Sequence, residues 1–211
     1  MKKLFLLFIL LFCQFSYGQI TEGYFQYSIE AKAVDTSLRI RQTAAMMIDS
    51  KMALYFADSL SRVDMKMGKA YTTSITIDKK QNRVLTVTTG AIGNSASVHR
   101  ADDVLYQAQA PDSTVTVELL DEEKTILGFK CKKAIMEISG EKTTYWYTND
   151  IKVQASGQTI VNPNIPGFPV SISGINGGML MNFELSNYKE GIEDKVATFT
   201  TIPPPGFLIK N

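Results

Sequence analysis

Apolar side chains recur at every second position along most of this 211-residue chain, and that period sets the fold class. From Gly23 onward, Phe25, Tyr27, Ile29 and Ala31 fall on one face of an extended segment, with Gln26, Ser28, Glu30 and Lys32 on the other. This is the pattern of a half-buried strand. It returns at Met52, Leu54 and Phe56, at Val63, Met65 and Met67, at Tyr71, Thr73, Ile75 and Ile77, and from Val84 to Thr88. Val115, Val117 and Leu119 repeat it, as do Val170 with Ile172, the run Met179, Met181, Phe183 and Leu185, and the stretch from Val196 to Ile202. One stretch breaks the period. Behind the N-cap candidates Asp35, Thr36 and Ser37, residues Ile40, Ala44, Met47 and Ile48 recur at helical spacing between Leu38 and Ile48. With no repeat or linker in view, the chain reads as one mainly β (α+β) domain over 19–211, of about ten strands and one helix.

The connections follow from turn chemistry. Asp58 with Ser59, and Lys79 to Asn82, join hairpins; Gly90 to Ser97 reads as a small polar loop; Asp121, Glu122 and Glu123 read as an exposed acidic turn. Pro163, Pro166, Gly167 and Pro169 predict a tight loop that cannot extend a ladder. Tyr188 to Asp194 reads as a polar turn, and Pro203 to Pro205 as the end of regular structure.

The hairpin between Lys124 and Ile151 has apolar surface on both faces. Phe129 and Cys131 share one phase, but after Lys132 and Lys133 the apolar positions become Ala134, Met136 and Ile138. A bulge at the lysine pair would accommodate the shift. On the partner strand Tyr145 and Tyr147 face one way and Trp146 the other, as expected of a central strand with something covering it.

Residues 1–18 predict a secretory signal peptide: Lys2 and Lys3, an apolar run from Leu4 to Phe12, then Ser16, Tyr17 and Gly18. The run falls short of the roughly 20 residues a spanning helix needs. The competing readings are a retained anchor and a lipid-modified Cys13, against which bulky Phe12 stands where lipoprotein signals take a small residue. Cleavage would leave 20 basic against 21 acidic groups, a net charge of −1, which removes the electrostatic basis for nucleic-acid binding. It would also leave Cys131 as the single cysteine, so no intramolecular disulfide is expected. The expected residence is periplasmic, outer-membrane-associated or extracellular, with no transmembrane anchor in the mature chain.

Catalytic patterns are sparse. His99 is the single histidine and no Gly-x-Ser-x-Gly elbow is present. No paired-histidine or paired-cysteine spacing offers a metal site, and no phosphate loop or dinucleotide fingerprint implies a cofactor. Cys131 between Lys130 and Lys132 is either an activated nucleophile or a buried inert thiol.

Three motifs in order, Ile126-Leu-Gly-Phe-Lys-Cys-Lys-Lys-Ala134, Tyr145-Trp-Tyr-Thr148 with Ile151, and Ile165-Pro-Gly-Phe-Pro169, resemble an exported family known as domain-of-unknown-function family 4412. They are also similar to its neighbour, the GLPGLI family, from whose motif Phe168 and Pro169 depart. The resemblance implies the LolA/LolB lipoprotein-carrier fold: a strongly curved antiparallel sheet or half barrel, covered by one or two short helical segments around an apolar cavity. Eight methionines follow Met1, and flexible thioethers suit both irregular cores and adaptable binding surfaces. Together these favour a non-catalytic envelope protein that binds a lipid or lipidated protein. The expected cavity lining is Phe25, Tyr27, Met52, Leu54, Phe56, Met65, Met67, Met136, Trp146 and Met181, with Arg62 at the rim. The alternatives are a solid-cored interaction module of the envelope, and a hydrolase using carboxylates or Cys131.

Overall fold

The computed structural model describes residues 19–91, 93–103, 115–153 and 160–210; the signal-peptide expectation for 1–18 lies outside them. Twelve strands form a single open sheet: β1 (Glu22–Ala33), β2 (Lys51–Ala57), β3 (Leu60–Met67), β4 (Tyr71–Asp78), β5 (Arg83–Gly90), β6 (Ser95–His99), β7 (Val115–Ile126), β8 (Phe129–Ile138), β9 (Glu141–Thr148), β10 (Phe168–Asn176), β11 (Met179–Glu190) and β12 (Leu208–Lys210). Short helices accompany it, among them α1 (Leu38–Met46) and α2 (Lys195–Thr198), and residues 101–103 form a further helical turn. The spatial order is β12-β6-β5-β4-β3-β2-β1-β11-β10-β9-β8-β7. Every neighbouring pair is antiparallel except β12 beside β6.

Tight turns make this meander possible. Leu127-Gly128, Ser139-Gly140 and Gly177-Gly178 each place two successive residues at positive φ, the conformation whose twist matches the flanking strands of a two-residue hairpin. The alternation read from β1 holds: Phe25, Tyr27 and Ile29 are buried, and the residues between them are not.

The core lies on one face of the central strands, where Phe25, Tyr27 and Leu54 are completely buried and Phe56, Met52 and Leu185 nearly so. The Phe25 and Phe168 ring centroids are 5.0 Å apart, although β11 separates β1 from β10. Strands two apart lie about 9–10 Å from each other, so the face is concave here. Helix α1 covers part of it. Ser37 caps the helix, its hydroxyl accepting from the Ile40 amide, and Ile40, Ala44 and the C-cap Met47 point inward. Gly68 lets the β3–β4 turn close under the end of this helix: its amide donates to the Ser50 hydroxyl at 2.9 Å. At φ +52°, a Cβ there would stand 2.1 Å from the Met46 carbonyl oxygen. Residues 160–168 cover the neighbouring part through Ile160 and Ile165.

Several local expectations are corrected. Ile48 is exposed beyond the helix end. The last three residues of the expected loop, Ser95 to Ser97, begin β6 instead, because β5 and β12 pair on its two sides. The acidic run is not a turn. Strand β7 passes through it, and the register shift against β8 falls between Leu120 and Glu123, opposite Lys132 and Lys133. The irregularity expected at the lysine pair therefore sits on the partner strand, where Lys133 Nζ meets Glu122 at 2.9 Å. Strand β10 begins at Phe168 and includes Pro169, whose missing donor is accommodated by a register shift against β9. The stretch from Val196 to Ile202 is not a strand: Asp194 Oδ1 accepts from the Ala197 amide at 2.9 Å and starts α2 instead. Regular structure also resumes past the prolines as β12.

Among the described residues no helix is long and apolar enough to cross a membrane, which says nothing about strands.

Candidate functional site

Two large openings lie on the concave face, where β9, β10 and β11 run beside the loop from Ile160 to Pro163. One groove, of about 560 Å³, is bounded by Ile138, Glu141, Thr143, Ile175, Met181 and Phe183. A second, of about 480 Å³, is bounded by Met52, Met65, Tyr145, Asn162 and Pro163. Ile172, Asn176 and Phe183 line both, so the two form a continuous trough. A third opening of about 300 Å³ shares Val161, Asn162 and Pro163 with it and reaches Gln19, Asn149 and Lys152.

The strand registers explain the trough. Tyr145, Ile172, Phe183 and Ile29 stand opposite one another across β9, β10, β11 and β1, and one step along β10 the row continues as Thr143, Gly174, Met181 and Ala31. Gly174 leaves a gap in a row of side chains. A Cβ there would lie 2.7 Å from Thr143 Oγ1, so the close approach of β9 and the depth of the floor depend on the same missing methyl. The loop wall is pinned by its own polar groups. Asn162 Oδ1 accepts from the Asn164 amide at 2.9 Å, and Asn162 Nδ2 points at the Met136 sulfur at 3.2 Å.

The chemistry of the trough is mixed and almost uncharged. Phe183 supplies ring surface above the buried Tyr145, the methionines adaptable apolar surface, and Asn162, Asn176 and Thr143 neutral donors and acceptors. Glu141 is the one carboxylate among the residues lining the two grooves. Burial pushes the Tyr145 hydroxyl above its ordinary range, so it stays a neutral donor. Such a lining suits a neutral polar ligand with apolar faces.

Of the expected lining, Met52 and Met65 border the second groove and Met181 the first. Phe25, Tyr27, Leu54 and Phe56 lie in the packed core with Met67 partly buried beside them, and Met136 packs with Ala134, Tyr145 and Ile165. Trp146 is half-buried with Lys124 Nζ 4.3 Å and Lys133 Nζ 5.9 Å from its ring centroid. Arg62 bonds Asp64 Oδ1 at 2.7 Å and the Thr198 carbonyl at 3.1 Å, and lies over the Tyr55 ring. It stands on the opposite face from Val63 and Met65. Cys131 is buried, its thiol donates to the Phe129 carbonyl at 3.4 Å, and burial pushes its pKa up to about 11. This is the inert reading of the two. His99 is exposed at the end of β6. Among the described residues no cluster of three or more metal-ligating side chains occurs.

Sequence reasoning passed over Tyr145, Phe183, Asn162 and Asn176 as site residues. The first two carried a signal, sharing the apolar phase of their strands; the asparagines stood in loops and turns where they are ordinary.

Residues 46–164 match the family described as "N-glycanase peptide, N-terminal domain". No curated protein matches the chain. Among solved structures, PNGF-II in a P21 space group covers 89% of this chain at 13% identity and a TM-score of 0.49, and PNGF-II in a C2 space group covers 89% at 14% and 0.46. The chain spans 31% and 30% of their lengths, less than a third. The family match overturns the resemblance to family 4412, the GLPGLI family and the LolA/LolB fold. With that resemblance go the expected lipid or lipidated-protein ligand, the envelope interaction module and the non-catalytic role. The mainly β open sheet with few helices stands.

Proposed function

This chain belongs to the N-glycanase peptide, N-terminal domain family, and from that premise we propose that it acts in the release of N-linked glycans, with the glycan of an N-glycosylated polypeptide as its ligand. The family match carries this reading; it spans β2 to β9 and so includes the Met52, Met65, Tyr145 and Asn162 walls of the trough. The chemistry of the trough supports it. A sugar ring presents an apolar face and a rim of hydroxyls. Phe183 offers ring surface to the first, and Asn162, Asn176 and Thr143 offer neutral hydrogen-bonding groups to the second. A hydrolytic step on this chain would draw on Glu141, the carboxylate of the trough. Export, expected from residues 1–18, fits a substrate met outside the cytoplasm.

The test is calorimetric titration of the purified chain with a neutral N-glycopeptide, with its free glycan and with the bare peptide, followed by mass spectrometry for released glycan. Saturable binding of the first two and not the third is expected, weakened about tenfold by Phe183→Ala, or by Asn162→Ala, which loses about one to two hydrogen bonds. Equal, unsaturable heats from all three ligands, with no released glycan, would remove the reading.

A further inference from the structure

Beyond Met65 the concave face changes character. Met65 on β3 stands opposite Thr73 on β4, Thr73 opposite Thr88 on β5, and Thr88 opposite Ser95 on β6. The adjacent row runs Val63, Ile75, Thr86 and Ser97. Thr73, Thr86, Thr88, Ser95 and Ser97 are all half-buried, and Thr73 Oγ1 lies 3.2 Å from Thr88 Oγ1. Five hydroxyls thus form a grid with spacings of about 4.8 Å across strands and about 6.7 Å along them. Among the described residues, Ala101, in the helical turn after β6, packs on Ile77 and Val84 with Ile75 beside them, at the end of the face away from Met65 and Thr73.

Neither row contains a charged residue. The charges of β3 fall on the opposite face, at Arg62, Asp64 and Lys66, and so does Arg83 of β5. Polar faces of antiparallel sheets commonly carry charge, so a neutral hydroxyl surface is selective in what it can satisfy. Within these two rows an anion finds no cation to pair with. A cation finds no carboxylate there, and an apolar partner would strand the hydroxyls without acceptors. A ligand that is itself an array of hydroxyls matches it, because each group on either side can donate or accept. The grid begins where the trough ends, since Met65 borders both.

We propose that the Thr73, Thr88 and Ser95 row with Thr86 and Ser97 is a second carbohydrate subsite, receiving the further neutral sugars of a glycan held in the trough. This rests on the glycan reading above. Its contribution is length selectivity: a short glycan fills the trough alone, and a long one also engages the grid.

The test is methyl NMR of the intact chain labelled at methionine and threonine, titrated with N,N′-diacetylchitobiose and with a free high-mannose N-glycan. Expected are shifts of Met52, Met65 and Met181 with both sugars, and of Thr73, Thr86 and Thr88 with the long glycan only. Thr73→Val with Thr88→Val, which keeps shape and strand preference, should weaken the long glycan about tenfold and leave the disaccharide unchanged. Methionine shifts without threonine shifts, or an unchanged long-glycan affinity in the double variant, would overturn the subsite and leave the trough standing. Silence at every methyl with both sugars would overturn the glycan reading and the subsite with it.

Discussion

The Tyr27 hydroxyl donates a 2.7 Å hydrogen bond to the Pro169 carbonyl, joining the middle of β1 to the first residues of β10 beneath the core. Tyr27 is completely buried, and Pro169 nearly so. Proline has no amide to give the ladder, so this bond and the register shift beside it are what settle β10 at its start. Tyr27→Phe removes the donor and leaves a buried carbonyl unpaired. A loss of about 1–3 kcal/mol is expected in urea denaturation; a loss below about 0.5 kcal/mol would mean the carbonyl finds another donor.

The same hydroxyl predicts alkaline sensitivity. Burial holds its pKa well above the ordinary 10.0, and the Cys131 thiol at about 11. Both are acids whose neutral form the fold protects, so their stabilisation is fully present below the unfolded values and is lost as pH rises past them. Denaturation midpoints should fall from about pH 9 upward. Tyr27→Phe should flatten part of that slope.

Cys131 should react slowly with a disulfide reagent in the native protein at about pH 8 and at the free-thiol rate in denaturant. Fast native reaction would place the thiol at the surface.

Leu127 adopts φ 49° in the β7–β8 turn with its side chain substantially exposed. A left-handed conformation costs a branched residue about 1–2 kcal/mol, and little packing is at stake. Leu127→Gly should stabilise by about 1 kcal/mol, read as a raised denaturation midpoint. Destabilisation would show that the leucine is packed after all.

Glu22 links β1 to α2, meeting Lys195 Nζ at 2.5 Å and accepting from the Ile192 amide at 3.0 Å. The lysine hydrogen bond is the main cause holding its carboxyl below the ordinary 4.5. For a depressed carboxylate the stabilisation is present above the unfolded value and disappears as pH falls through the lower folded one. Hydrogen exchange in 192–198 should therefore accelerate below about pH 4, and Glu22→Gln should show the faster exchange at neutral pH. Because the pair is solvent-accessible, the effect on global stability is small.

The strands of the core were legible because burial on one face imposes a period of two; β1, β2 and β3 carry it without interruption, and β11 carries it as far as Leu185, before its bulge at Ser186. Where a local interaction competes with that period, reading fails. Val196 to Ile202 reads as a strand, yet a single capping carboxylate, Asp194, turns its first residues into a helix. Lys132 and Lys133 announce an irregularity correctly, but which strand of a pair bulges depends on where the acids fall on the other. The trough was half legible. Met52, Met65 and Met181 share the apolar phase with Phe25 and Leu54, and only the absent side chain at Gly174 and the path of residues 160–163 decide which of them meet solvent. The motif resemblance failed for a different reason: short aromatic and proline-rich stretches recur wherever a β-meander needs a stiff loop.

Strand β7 ends the sheet with twelve residues and a partner on one side alone among the described strands. An open edge of that length is a template on which another chain can add a strand. The register shift at Asp121 and Glu122 breaks the template in its middle, and Glu118, Asp121, Glu122 and Glu123 place four acids along it. The feature that looked like a surface turn in the sequence thus keeps one molecule from continuing into the next, and its loss would be felt in solubility and assembly before it was felt in the fold.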